Sequence, residues 1–488
     1  MAISVETFFL NSESQGTLQA QIQEMIAAGI LSGRFRAGEK LPSSRKLAGH
    51  LGVSRITVTL AYTELVANDY LTARGRSGFF VSETAPVPPS FAPTEKGQET
   101  VDWARTLTQV FTGGDTPRKP QDWRSYRYPF IYGQADATLF DHANWRLCAL
   151  RALGQKDFAA MTGDYFDQDD PLLIEYIARH TLPRRGIIAR PEEVLITLGA
   201  QNALWTVVQL LLQPGRKAAI EDPSYYTLRD QLKHTGCALD VIGVDKDGLP
   251  PEQIAADTDV VFTTPSHQSP TTATMPMARR KALLNRARDI DAIVVEDDYE
   301  FEMSFRAQPS PALKSIDTDG RVIYLGSFSK SLFPGLRLGY LVGSEPFIRQ
   351  ARALRANVLR HPPGHIQRTV AYFLSLGHYD AQIRRTAKVL QERRAVLEEA
   401  MATHGLTPSN RSLYGGSSLW MQAPEHVDMT RVGLGLRQKG VLIEPGAPFF
   451  AASTRQHHFY RLGYSSIAAD RIPQGIAEVA AAIRAYRA

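Results

Sequence analysis

Apolar side chains recur at intervals of three and four near the start of the chain, and in short unbroken blocks further along. Leu18, Ile22, Met25 and Ile26 line one face of a first predicted helix. Pro42 and Ser43 open a second over 43–51, with Ser43 as N-cap and Gly52 making the turn. Ser54 starts a third, in which Val58, Ala61, Tyr62, Leu65 and Val66 form an i, i+3, i+4, i+7, i+8 stripe. The stretch 70–81 reads as a hairpin with Arg74-Gly75-Arg76 at its tip. A helix-turn-helix followed by a hairpin predicts a winged helix over residues 1–81.

From Ser82 the pattern dissolves. Prolines crowd 85–93 and 113–120, which favours extended chain and predicts a linker over 82–128. Within it Trp103, Leu107, Val110 and Phe111 are spaced for a short helix that docks on one of the domains. Over 129–488 strand-like blocks at 193–197, 259–263, 292–296 and 321–325 alternate with helical patterns. That alternation predicts an α/β domain with a mostly parallel sheet.

Composition narrows the choice of class. At 488 residues the chain is too long for a single core. Hydrophobic residues at 43% and charged ones at 22% exclude a wholly disordered protein. A net charge of +5 and an isoelectric point near 9.0 permit a polyanionic partner without requiring one. No apolar run is long enough to span a bilayer, and the start, with Glu6 and no basic segment, does not read as a secretory signal. Cys148 and Cys237 make neither a disulfide framework nor a metal cluster; two buried thiols in a reducing cytoplasm are expected.

Two sets of residues carry chemistry. In the winged helix, Ser54, Arg55 and Thr57 stay off the apolar stripe at the start of the third helix, where side chains meet base edges and phosphates. Arg74 and Arg76 put two cations on a turn small enough to approach a groove. In the larger domain, Lys330 follows a buried strand and a Ser-x-Ser turn, a setting that lowers an amine's pKa and lets it attack an aldehyde. Seven residues on, Arg337 is a bidentate phosphate clamp. Together they read as the Schiff-base lysine and phosphate anchor for pyridoxal 5′-phosphate. The strand over 292–296 ends in Asp297-Asp298-Tyr299, where a carboxylate holds a pyridine nitrogen protonated and a phenol hydrogen-bonds the ring oxygen. Gly199, Ala200 and Gln201 open an apolar helix whose free N–H groups suit a phosphate, and Tyr225 follows another strand, placed to stack on the ring.

Residues 36–48, 53–58 and 74–78, in that order and spacing, resemble the GntR type of winged helix. The resemblance implies DNA contacts at Ser44, Arg45, Arg55, Thr57 and Arg76. From about Tyr128 to the end the chain resembles the fold-type-I aminotransferases. The matching segments are 264–270, 296–299, the lysine segment, 440–446 and 460–463. A GntR-type head joined by a long linker to such a domain, with large and small subdomains, is the architecture of the MocR family of bacterial transcription regulators. The resemblance implies Lys330 as the aldimine lysine, Asp297 at the pyridine nitrogen, Tyr299 at the phenolic oxygen and Tyr225 over the ring. It places the phosphate on Arg337, Ser327 and the Gly199–Gln201 turn, and a substrate carboxylate or sulfonate on Arg461.

Three positions depart from the family pattern. Ser269-Pro270-Thr271-Thr272 replaces Asn-Pro-Thr-Gly, so Ser269 takes the place of the amide at the ring oxygen. The run 164–170 keeps Tyr165, which the resemblance sends to a partner subunit's phosphate, without the family's proline and glycine. Thr227 stands where some members carry an arginine, which argues against the γ-aminobutyrate-responsive kind. The resemblance therefore implies a cytoplasmic homodimer that binds double-stranded operator DNA. It would sense a small amino compound, an amino acid or an aminosulfonate such as taurine, by external aldimine formation. A working aminotransferase with an attached DNA-binding head is the alternative that the same residues permit. A sensor of pyridoxal phosphate alone would leave Arg461 idle.

Overall fold

The computed structural model describes residues 2–10, 16–86, 100–108, 119–134, 136–305, 310–410, 415–451 and 456–486. The chain divides into two compact units, Met1–Gln109 and Val110–Ala488.

The first unit is built on α1 (Leu18–Leu31), α2 (Ser44–Leu51), α3 (Arg55–Ala67) and the antiparallel pair β1 (Leu71–Ala73) and β2 (Phe79–Val81). The predicted cap forms, the Ser43 hydroxyl accepting from the Lys46 N–H, and Ser54 caps the third helix in the same way by accepting from the Thr57 N–H. Gly52 takes a left-handed φ of 68°, which lets α2 end and turn at once. Ile22 and Ile26 of α1 pack against Val58, Ala61, Tyr62 and Leu65 of α3 in one core. The apolar stripes are narrower than their spacing suggests, since Leu18 is exposed and Met25 and Val66 are only half-buried. Tyr62 donates its hydroxyl hydrogen to the Pro42 carbonyl and so ties α3 to the entry of α2.

Of the predicted linker, residues 87–99 and 109–118 lie outside the described residues, and with them most of the proline-rich stretches, Val110 and Phe111. Trp103–Thr106 forms one helical turn, but Trp103 and Leu107 remain about half exposed, so the expected docking does not bury them.

The second unit carries a seven-stranded sheet: β3 (Val194–Thr197), β4 (Lys217–Asp222), β5 (Ala238–Gly243), β6 (Val260–Thr263), β7 (Ile293–Asp297), β8 (Val322–Ser327) and β9 (Gly339–Val342). Their order is β3-β9-β8-β7-β6-β4-β5, parallel except for β9, which is antiparallel to both neighbours. Helices cover both faces, which is why the central strands read as continuous apolar blocks rather than alternating ones. Each of the four blocks read from the sequence begins one residue later than expected, and two run on to Asp297 and Ser327. That shift makes two candidate site residues the last residues of adjacent strands.

A smaller antiparallel sheet, β10 (Ser418–Gln422), β11 (Glu444–Pro445) and β12 (Phe459–Gly463), packs with the helices His378–His404 and Ile472–Ala485 around its own core. The start of the unit reaches this subdomain through a two-residue parallel pairing of Tyr128–Pro129 with Val441–Leu442. Both cysteines are free; Cys148 is buried, whereas Cys237, expected to be buried, is half-exposed.

Close backbone approach joins β9 to its neighbours. A Cβ on Gly339 would stand 2.8 Å from the Gly326 carbonyl oxygen and 3.0 Å from the Gly199 Cα. Gly339→Ala is therefore expected to lower the thermal midpoint by about 1–4 °C, the size of a typical overpacking penalty in a unit this large, measured by calorimetry.

Candidate functional site

Strand ends and turns converge on a cavity of about 310 Å³ at the carboxyl edge of the parallel strands. Asp297 closes β7 and Ser327 closes β8, with Lys330 three residues beyond. Ala200 and Gln201 come from the first turn of α4 (Gly199–Leu211), and Tyr225 immediately precedes α5 (Tyr226–Thr235). Ser269 and Tyr299 come from loops after β6 and β7, Arg337 from the turn before β9, and Arg461 from the middle of β12. All ten line the cavity. Gly199 sits just behind it: a Cβ there would lie 3.2 Å from the Arg337 Nη2, so glycine lets the guanidinium lie against the helix start. Arg337 also donates to the Leu198 carbonyl.

Burial sets the protonation states. It pushes the Asp297 carboxyl up to about 7, with Asp298 and Glu221 adding repulsion and Lys330 opposing them. It pushes the Lys330 amine down to about 8, helped by Arg461 and opposed by Glu300 and Glu444. The phenols of Tyr299 and Tyr225 are raised by burial; Ser269 hydrogen-bonds the first and Thr227 the second. The Asp297 Oδ1 is buried with no hydrogen-bond partner among the described residues. Such an atom is costly unless a cation meets it, and the protonated ring nitrogen of pyridoxal phosphate is such a cation. Arg337 and the start of α4 offer what a phosphate needs. Lys330, partly neutral near pH 8, offers the amine. The residues fit the cofactor.

Sequence reading missed part of the wall. Arg461 is not free: its Nε donates to Glu444 at 2.9 Å across the β11–β12 pairing, and Glu444 also accepts the Tyr132 N–H. Burial works against the Arg461 charge, but Glu444 and Tyr132 hold its pKa above the ordinary value. The Tyr132 ring lies 4.0 Å from the Arg461 guanidinium and 4.1 Å from the Lys330 Nζ. A Cβ on neighbouring Gly133 would stand 2.2 Å from that Nζ, so only glycine leaves it room. Lys119 and Phe449 also line the cavity. Glu444 stood inside a motif matched as a block, and nothing in the local pattern marked Tyr132 or Lys119.

Tyr165 is not brought to this cavity. It is 37% exposed and covers Gly163 beside a separate hollow of about 290 Å³ with His361 and Arg368. His267 is buried 3.3 Å from Glu300. Among the described residues no cluster of His, Cys, Asp or Glu is placed to hold a metal ion, and no helix is long and apolar enough to cross a membrane.

On the first unit, Arg45, Arg55, Arg74 and Arg76 are exposed. Arg55 Nε lies 3.4 Å from the Ser44 hydroxyl, which brings the starts of α2 and α3 together. Ser54 and Thr57 hydrogen-bond each other at 2.8 Å while capping α3, so their hydroxyls are already engaged. Arg74 stacks over Phe80 and pairs with Glu83, which leaves Arg76 as the freer cation of the wing.

Comparison with known proteins agrees with both units. Residues 147–473 match the family Aminotransferase class I and II, and residues 18–81 match Bacterial regulatory proteins, gntR family. The chain is 56% identical over 484 residues to the HTH-type transcriptional regulator TauR of Rhodobacter capsulatus, covering 99% of this chain and 100% of that one. It is 31% identical over 398 residues to the probable rhizopine catabolism regulatory protein MocR of Rhizobium meliloti, 81% and 79% of the two chains. Among solved structures it resembles LysN, the α-aminoadipate aminotransferase of Thermus thermophilus complexed with N-(5′-phosphopyridoxyl)-L-leucine. The TM-score is 0.68 at 25% identity, over 79% of this chain and 98% of that one. The chain belongs to the MocR family of DNA-binding transcription regulators, with a GntR-type head and an aminotransferase-like unit whose cofactor is pyridoxal 5′-phosphate.

Two outcomes follow from this geometry. Arg55→Ala and Arg76→Ala are each expected to weaken binding to an operator duplex about tenfold and to flatten its salt dependence, read by fluorescence anisotropy at several salt concentrations. For Asp297, a carboxyl with a folded pKa of about 7 and an ordinary value of 3.8 stabilises the cofactor-free fold fully below pH 4 and loses that contribution as pH rises through 7. Asp297→Asn is expected to remove part of that fall in thermal midpoint and to weaken cofactor binding by about tenfold or more, read by equilibrium dialysis.

Proposed function

We propose that this regulator senses a small zwitterionic amino compound, with taurine the leading candidate, through the cavity around Lys330. The observation that carries this reading is the placement of Lys330 and Arg461 on one ring, Tyr132, at most about 8 Å apart. A short molecule with an amine at one end and an anion at the other spans that distance.

Each residue has a role in this reading. When bound, pyridoxal phosphate supplies an aldehyde that condenses reversibly with primary amines, so an effector amine competes with Lys330. Asp297 holds the ring nitrogen's proton. Arg337, Ser327, Gly199, Ala200 and Gln201 hold the phosphate, and Tyr225 covers the ring. Tyr299, tied to Ser269, donates to the ring oxygen. Arg461 offers its terminal nitrogens to the effector's anion, carboxylate or sulfonate alike. Ser44, Arg45, Ser54, Arg55, Thr57, Arg74 and Arg76 form the DNA-reading set. Because the Ser54 hydroxyl caps α3 and the Thr57 hydroxyl bonds to it, the arginines carry most of the contact.

The working form is a cytoplasmic homodimer. Leu147 and Leu150 on the helix His142–Ala152, Leu153 just past its end, and Phe158 and Phe166 are each more than half exposed, which supports a contact with a second copy. Tyr165, exposed and outside the cavity, suits such a contact as well. The linker gives two heads reach to separated half-sites. Ligand shifts DNA affinity only through its different affinity for the two arrangements of the chain.

Ser269 in place of an amide at the ring oxygen favours sensing over turnover. Adding taurine to the holoprotein is expected to shift the cofactor's absorbance without sustained keto-acid-dependent turnover. Arg461→Gln is expected to weaken that response by about tenfold or more. Steady turnover with a keto acid would favour the aminotransferase reading.

A further inference from the structure

Six charged side chains line the cavity: Lys119, Asp297, Lys330, Arg337, Glu444 and Arg461. Most are spoken for before any effector arrives. Asp297 and Arg337 face the two charged ends of the cofactor, and Lys330 is its point of attachment. Arg461 is matched by Glu444 at 2.9 Å, with both side chains largely shielded from water. A guanidinium paired in this way still donates hydrogen bonds from its other nitrogens, but it brings little net charge to a second anion. Lys119 is the exception. No carboxylate stands within ion-pair distance of its ammonium among the described residues; Arg124 repels its charge and Glu444 attracts it from further off. Its Nζ lies 5.3 Å from the ring of Trp123, a buried residue packed with Ile131 and Leu442. Trp123 thus holds the lysine at the rim while the chain runs on through the Tyr128–Pro129 pairing to Tyr132 and Gly133 on the cavity wall.

Position along the chain gives this cation a second consequence. Lys119 lies near the start of the second unit, which begins at Val110, and so toward the end of the chain that joins the first unit. Resting on the effector reading above, we propose that Lys119 supplies the net counter-charge for the effector's anionic group, and thereby ties occupancy of the cavity to the end of the linker. Arg461 fixes the direction of the anion and Lys119 neutralises it. Burial and Arg124 lower the Lys119 pKa, Glu444 only partly opposes them, and an arriving anion favours the charged amine further. The free energy gained on binding is then spent partly on holding the linker's end, the differential contact that coupling to the DNA-binding unit requires.

The test uses full-length holoprotein and two amines, taurine and ethylamine, which share the aminoethyl group but differ in the anion. Cofactor absorbance gives the affinity of each. Wild type is expected to prefer taurine. Lys119→Gln is expected to weaken taurine about three- to tenfold and to leave ethylamine within about twofold, while Lys119→Arg restores taurine. Taurine is also expected to slow amide hydrogen exchange over residues 119–126 in wild type and in Lys119→Arg, but not in Lys119→Gln. Equal losses for both amines, or no loss for either, would overturn the role of Lys119 while leaving the effector reading intact. A wild-type protein with no preference for taurine over ethylamine would overturn the effector reading and the proposal with it.

Discussion

Desolvated charge at the carboxyl ends of the parallel strands is the constraint on which the site depends. Asp297 and Asp298 are adjacent in the chain, yet their side chains meet different fates. Asp298 is locked by Arg185 at 2.6 Å and by the Tyr324 hydroxyl at 2.9 Å. Asp297 is left with an unmet oxygen in the cavity wall. Asp298 also keeps an unbonded Oδ1, but its Oδ2 is engaged twice, whereas Asp297 lines the cavity. Lys330 is held in the same water-poor space and is therefore weakened as a base. A cofactor that brings a cationic ring nitrogen, an aldehyde and a phosphate resolves these imbalances at once.

The sheet makes that arrangement rigid. β9 turns back between β8 and β3, and Gly339 lets it approach the backbone of both Gly326 and Gly199. Arg337 stands at the start of β9 with a left-handed φ of 52°, held against the first turn of α4. Arg337 and the first turn of α4 are thus fixed by main-chain packing. Arg461 belongs to the other subdomain, on β12, and reaches the same cavity paired with Glu444. Lys330 and Arg461 therefore come from two subdomains, and a ligand that touches both bridges them.

Much of the fold was legible because its signals are local. Cap residues, the i, i+3, i+4 stripe of α3 and the apolar blocks of the buried strands depend on chain neighbours and on burial of whole elements. They placed the winged helix and the parallel sheet, although the stripes overstated burial at Leu18 and Val66 and the strand starts were one residue early. The residues at strand ends, Asp297, Ser327 and Lys330, were legible for the same reason. Tyr132, Glu444 and Lys119 were not, because each acquires meaning only from a neighbour hundreds of residues away or from the cavity itself.

The chain by itself determined the two architectures, the lysine that lines the cavity and the chemical character of the strand-end groups around it. Those properties reside in short stretches whose physics is independent of distant sequence. Only the tertiary structure decided which charges are already paired. Glu444 claims Arg461, Glu83 claims Arg74, and the Ser54 hydroxyl caps α3 and engages that of Thr57, while Asp297 keeps an unbonded oxygen and Lys119 has no ion-pair partner among the described residues. Whether a charge is spent or available depends on separation in space and on exclusion of water, and neither is written in the order of residues.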